Sequence, residues 1–219
     1  MSIDKIHSAL KHEFVKYRMP VVDLIEMQTH DPFRVLVSTI LSARTKDETT
    51  TLASQRLFTK VQKAADLRSL TIPQIEKLIF PVGFHHNKAR FLKALPDALD
   101  SLYNGKIPDT VEELIALPGV GRKTANLVVA IGFKKPAICV DVHVHRICNR
   151  LGYVQTKTPF ETEMALRKKL PPKYWLTINS YLVSFGQHLC FPINPRCDKC
   201  PIYEECGRVG VKTKYGKSG

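Results

Sequence analysis

Apolar positions recur with helical spacing through most of the chain. Ile3, Ile6, Leu10, Phe14 and Tyr17 fall every three or four residues and define one face of an N-terminal helix. Asp31-Pro32 reads as an N-cap followed by a proline in the first turn. The helix it opens, 33–41, carries Val35, Leu36, Val37, Ile40 and Leu41 on nearly every face, which predicts a buried helix. Further helix starts are expected at Asp47, Thr71, Asn87, Thr110, Asp141 and Thr158. Thr110 with Glu113, and Thr158 with Glu161, have the spacing of a capping box. No segment alternates with period two, and the apolar run Ala137-Ile138-Cys139-Val140 is too short to support a sheet. The expected fold class is all-α.

No internal repeat, low-complexity stretch or Gly/Ser linker divides the chain. The best break is the charged stretch Gly132-Phe133-Lys134-Lys135-Pro136, and after Gly186 helical patterning gives way to cysteines, prolines and basic residues. A length of 219 residues suits one large or two modest domains. Hydrophobic residues at 44% and charged residues at 24% exclude a disordered or collagen-like chain. No apolar run approaches the roughly 18 residues that span a bilayer, and the start Met1-Ser2-Ile3-Asp4-Lys5 lacks the apolar stretch of a signal peptide. The expectation is an intracellular protein with no membrane partner, in the cytoplasm or nucleoid if prokaryotic.

Charge changes the picture. Lys and Arg total 33 against 20 Asp and Glu, a net charge of +13, and such an excess points to a polyanion, most often nucleic acid. The excess is concentrated: between Gly119 and Arg150 there are six basic residues and one acid, Asp141. From Gly207 onward Arg208, Lys212, Lys214 and Lys217 have no acidic neighbour.

The most informative stretch is Leu117-Pro118-Gly119-Val120-Gly121-Arg122-Lys123-Thr124-Ala125. A capped helix over 111–117 should stop at Pro118, which cannot continue the hydrogen-bond ladder. Gly119 and Gly121 can both take positive φ, and Val120 between them can turn inward as an anchor. A second helix follows through Leu127 and Ile131. Its free amides, with Arg122 and Thr124 beside them, would gather a phosphate backbone without reading sequence, so affinity should fall steeply with salt. Lys123, at the positive end of that helix, is either a phosphate-binding lysine or an amine nucleophile able to form a Schiff base at sugar C1′. Asp141 is an N-cap by position. In a phosphate-facing segment it also needs a further reason, such as accepting a proton from a lysine or stabilising positive charge on a sugar.

Cys190, Cys197, Cys200 and Cys206 lie within seventeen residues as C-x6-C-x2-C-x5-C. Four clustered thiolates mean metal, and spacing alone leaves zinc and an iron–sulfur cluster open. Cys139 and Cys148 read as small buried apolar residues.

The run 117–126, followed eighteen residues after the lysine by Asp141-Val142-His143-Val144-His145-Arg146, resembles the helix-hairpin-helix DNA glycosylases, and within them the endonuclease III family. The resemblance extends from Pro32-Phe33 through Cys206. It implies a bifunctional DNA glycosylase and AP lyase of base-excision repair, acting as a monomer on double-stranded DNA that carries damaged bases or abasic sites. Oxidised pyrimidines would be removed and the strand cut on the 3′ side by β-elimination through a lysine Schiff base. Lys123 falls on the family's Schiff-base lysine and Asp141 on its catalytic aspartate. Gly119, Val120, Gly121, Arg122, Thr124, His143 and Arg146 fall on DNA-binding positions. The cysteine spacing matches that of the family's 4Fe–4S cluster.

The resemblance also implies two helical lobes with DNA across their junction: a barrel over 20–135 carrying the hairpin, and 1–19 joined to 136–219 with the cluster. A base in a duplex must be extruded and the gap filled. The family's inserting positions match Arg44, where glutamine is frequent in the family, and Val82 and Phe84 as apolar wedges. Two rivals are a monofunctional or mismatch glycosylase, which forms no trappable imine, and a non-catalytic DNA-binding module. The joint presence of Lys123 and Asp141 argues against both.

Overall fold

The computed structural model describes residues 2–17, 21–22, 25 and 29–215. Pro20, expected as the first boundary, and Lys217 of the basic tail lie outside them. Among the described residues there is no β-strand, so the chain is all-α as the apolar spacing indicates. Among the described residues no helix is long and apolar enough to cross a membrane. The chain divides into two compact units, Val21–Lys135 and Met1–Pro20 with Pro136–Gly219.

The Val21–Lys135 unit is built on the buried helix Pro32–Ser42. Asp31 caps it, its carboxylate accepting from the Phe33 amide at 2.9 Å, and Val35, Leu36, Val37 and Leu41 are wholly enclosed. It packs against Asp47–Phe58 and the π-turn Val128–Gly132. Ile72–Ile79 and the long helix His85–Tyr103 pack on each other. Thr71 and Gln74 close a full capping box. At Thr110 and Thr158 the hydroxyl accepts the N3 amide, while the Glu161 carboxylate reaches the Lys157 amide, one residue before the cap.

Three boundaries differ from the sequence reading. Lys46, not Asp47, is the cap residue of Asp47–Phe58, which leaves Asp47 and Glu48 in the first turn where the helix dipole favours them. The long helix starts at His85 rather than Asn87, because Phe84 takes a left-handed conformation (φ 58°) that closes the turn two residues earlier. The helix expected over 111–117 is only Val111–Leu114. Pro118 disfavours α geometry at Leu117, and the chain tightens into turns in which Ala116 and Leu117 donate three residues back, to Glu113 and Leu114.

In the other unit Ile3–Phe14 packs on Trp175–His188, which packs in turn on Val142–Leu151, with Pro159–Lys169 against that helix. Its core gathers Ile6, Leu10, Ile147, Leu166, Ile178 and Leu182, and includes Cys148. Cys139 is buried too.

Leu36→Ala opens a cavity in an enclosed helix and should cost about 2–5 kcal/mol. Asp31→Ala removes one capping bond and should cost about 1 kcal/mol. Urea unfolding of both variants checks the order; a cap loss exceeding the core loss would contradict this account of the helix.

Candidate functional site

In the Val21–Lys135 unit the chain turns sharply between Leu117 and Arg122. Gly119 has φ +76°, the left-handed value expected, and its missing side chain is required twice over. A Cβ there would lie 2.6 Å from the Phe91 ring. Gly121 departs from expectation: its φ is −93°, any residue could adopt it, and a Cβ would meet nothing within 4 Å. Gly121 therefore lies on the open, outer face of the turn. Val120 is buried at 6% exposure and anchors the hairpin. Thr124 faces inward as well, so of the expected contact residues in the hairpin Gly119 and Gly121 are exposed and Arg122 is half-buried. Lys123 stands exposed in the first turn of Arg122–Leu127.

The two loops expected to insert lie in the same unit. Arg44 and Phe84 are exposed, both in left-handed backbone (φ 54° and 58°), with the Arg44 guanidinium 5.4 Å from the Phe84 ring centre. Val82, expected as a wedge, is instead enclosed in the core at 1% exposure. The left-handed backbone at Phe84 breaks the regular run of the loop, with Val82 turned inward and the Phe84 side chain left exposed.

Sequence reading missed Lys88. It is 4% exposed, and its ammonium donates to the Leu41 carbonyl at 2.8 Å, the Ala43 carbonyl at 2.6 Å and the Thr45 hydroxyl at 3.2 Å. The available signal was its register: Lys88 falls with Ala89, Leu92 and Leu95 on the buried side of its helix, where a lysine is costly unless its head is bonded.

In the other unit Asp141 caps Val142–Leu151, one carboxylate oxygen accepting from the His143 and Val144 amides at 2.9 Å each. It is 8% exposed. Arg146, expected at DNA, has its guanidinium engaged by protein. It donates to the Cys190 carbonyl at 2.8 Å and the Gly186 carbonyl at 3.2 Å, and lies 3.1 Å from His143 Nδ1. One turn on, Arg150 donates to Cys190 Sγ at 3.4 Å, the Phe191 carbonyl at 2.6 Å and the Pro192 carbonyl at 2.7 Å. Two arginines of the helix capped by Asp141 thus fasten the segment that begins the cysteine cluster.

Cys190, Cys197, Cys200 and Cys206 line a single cavity walled by Leu151, Phe185, Leu189 and Ile202. The Arg208 amide donates to Cys206 Sγ at 3.4 Å. Among the described residues no three His, Cys, Asp or Glu side chains converge on a point that would hold a single metal ion. Burial pushes the Cys200 thiol up to about 12 and raises Cys197 and Cys206, with the neighbouring cysteines adding to each shift. Three desolvated thiols thus stand beside Cys190, and a bound cation would favour their thiolate forms.

Comparison with known proteins decides the family. The family described as HhH-GPD superfamily base excision DNA repair protein matches residues 37–172. The chain belongs to this superfamily. It is 49% identical over 176 residues to Endonuclease III of Thermotoga maritima, covering 80% of this chain and 83% of that protein. Plant and animal relatives are longer, the chain spanning about half their length. Among solved structures, an endonuclease III in a non-covalent complex with DNA superimposes with a TM-score of 0.83 at 33% identity, over 94% of each chain. A trapped covalent endonuclease III–DNA intermediate gives 0.79 at 32% identity, over 95% of this chain and 97% of that one.

The two glycines separate fold from contact. Gly119→Ala strains the backbone and collides with Phe91, so it should destabilise by about 1–3 kcal/mol. Gly121→Ala should stay within about 1 kcal/mol of the parent, so any larger loss of DNA affinity in it reports on the approach of a backbone. Equal destabilisation of the two variants in urea would contradict this division.

Lys88 supplies a pH test. Burial lowers its ammonium from 10.5 to about 8. The unfolded chain therefore holds the extra proton between those values, and the contribution of Lys88 to stability rises with pH across that window. Stability measured against Lys88→Met should climb from about pH 8 to 10; a flat difference would contradict the burial.

Proposed function

We propose that the chain is a bifunctional DNA glycosylase and AP lyase that removes oxidised pyrimidines from double-stranded DNA. The observation that carries the reading is Lys123, exposed in the first helical turn after a hairpin whose outer glycine leaves the backbone bare, in a chain with endonuclease III relatives. The covalent intermediate known for one of those relatives fits an amine nucleophile.

Lys123 Nζ, as the free amine, attacks C1′ of the extruded nucleotide; the C1′–N bond breaks and the base leaves with its electron pair, taking up a proton. Asp141 assists by accepting the proton released from nitrogen or by balancing the positive charge that develops on the sugar. The C1′–O4′ bond of the resulting aminal then breaks, O4′ taking up a proton as the sugar ring opens, and the imine so formed acidifies the C2′ proton. Its removal expels the 3′ phosphate by β-elimination, and water then frees the lysine. Gly121 and Arg122 would hold phosphate without reading sequence, while Phe84 and Arg44 would fill the gap.

The four thiols fit a 4Fe–4S cluster by donor type and placement. They ring an apolar cavity rather than meeting at a point, which suits a polynuclear centre better than a tetrahedral ion. When bound, the cluster would supply cross-linking of a segment too poor in apolar residues to fold unaided. Cys190, Cys197, Cys200 and Cys206 would hold it, with Arg150 and the Arg208 amide donating to sulfur.

Borohydride trapping on duplexes containing an abasic site or an oxidised pyrimidine tests the reading. The expected result is a covalent adduct on both, with strand cleavage at least about 100-fold lower in Lys123→Ala. Base release without an adduct would establish a monofunctional enzyme instead. Neither release nor adduct from folded, iron-loaded protein would leave only a binding module. Cys200→Ser should lower bound iron and unfolding temperature together; unchanged iron would remove the cysteines from the account.

A further inference from the structure

The Arg44 and Phe84 loops are joined beneath their exposed side chains. Thr45 Oγ1 accepts from the Gly83 amide at 3.1 Å and from Lys88 at 3.2 Å, so one hydroxyl bridges both loops. Lys88 also takes the carbonyls of Leu41 and Ala43 at the end of the Pro32–Ser42 helix. That is where a helix leaves its carbonyls without partners and where its dipole favours a cation. A Cβ on Gly83 would lie 2.5 Å from the Arg44 carbonyl oxygen, so the two loops touch through backbone. Arg44, Phe84 and Lys88, with Phe91 and Gly119, line a cavity of about 260 Å³ on this face.

An apolar residue would fill the position of Lys88 without the cost of desolvating an ammonium. A purely space-filling role therefore does not account for a lysine here. What the ammonium adds is a fixed geometry for Ala43–Arg44–Thr45, with Arg44 in left-handed backbone over the Phe84 ring. We infer that Lys88 is a positioning residue that holds Arg44 and Phe84 together as one preformed, two-pronged wedge for the gap left in a duplex by an extruded nucleotide. The inference rests on the function proposed above. Preformation means that the ordering of two loops is not charged against each opening of the duplex.

The role separates duplex opening from chemistry. On a duplex with a paired oxidised pyrimidine the wedge must displace a stacked base, whereas a preformed abasic site has no base to displace. With the holoenzyme, single-turnover excision of the paired lesion should fall at least about 10-fold in Lys88→Met, while borohydride trapping at the abasic site changes less than about 2-fold. Thr45→Val removes the bridging hydroxyl without removing the buried cation. It should show the same selectivity at about 3-fold or more, and it carries the test if Lys88→Met does not fold. Equal losses on the two duplexes, or no loss on the paired lesion, in folded variant would overturn the inference. A parent protein that acts on neither duplex would overturn the proposed function and this inference with it, and is seen before any variant is compared.

Discussion

The contact between Phe91 and Gly119 is the constraint on which the surface of the Val21–Lys135 unit depends. The hairpin can lie on the long helix only because Gly119 has no side chain and can take a left-handed turn. That contact fixes where Arg122–Leu127 begins, and so where Lys123 stands. Lys88 and Phe91 lie three residues apart on His85–Tyr103, and with Phe84 at its N-cap they line one cavity. One end of the helix thus carries an exposed aromatic, the ammonium that ties down the Arg44 turn, and the ring that seats the hairpin. Ala89, Leu92, Leu95 and Leu99 hold the same helix in the core.

The other unit solves a different problem. The segment from Cys190 to Cys206 has few apolar residues, and burial raises the thiols of Cys197, Cys200 and Cys206, with neighbouring cysteines adding to each shift. Protein contacts at one end are strong: Arg146 and Arg150, one turn apart, take three consecutive carbonyls from Cys190 to Pro192. The helix whose first amides are satisfied by Asp141 therefore shares its register with the cysteine segment. Burial outweighs the pull of Arg150 and Arg208 on Cys197 and Cys206, so the thiols stay raised, and a bound cation would supply the remaining counter-charge.

How much of this could be read from sequence follows from what each residue answers to. Asp31, Thr71, Thr110, Asp141 and Thr158 were legible because an N-cap is a local bargain between a side chain and amides two or three residues on. The buried helix Pro32–Ser42 was legible from its apolar faces. Gly119 could be placed in a turn, but its reason for being glycine, the Phe91 ring, lies twenty-eight residues away. Gly121 looked equivalent to Gly119 and is not, since the backbone needs no positive φ there. Val82 and Phe84 looked alike as apolar loop residues; a left-handed turn at Phe84 sends one in and the other out. Arg146 was placed at DNA by its match to a family position beside Asp141, and only tertiary structure reveals the carbonyls that engage it. Lys88 escaped because its acceptors, Leu41, Ala43 and Thr45, precede it by more than forty residues.

The claim that joins these observations is that a particular amine, Lys123, is the one that attacks sugar carbon. Reducing the trapped complex formed by the parent protein, digesting it and mapping the nucleotide-bearing peptide by mass spectrometry tests this without any substitution. The account predicts the modification on Lys123. Modification at another lysine, such as Lys46 or Lys134, or at the N-terminal amine, would contradict it.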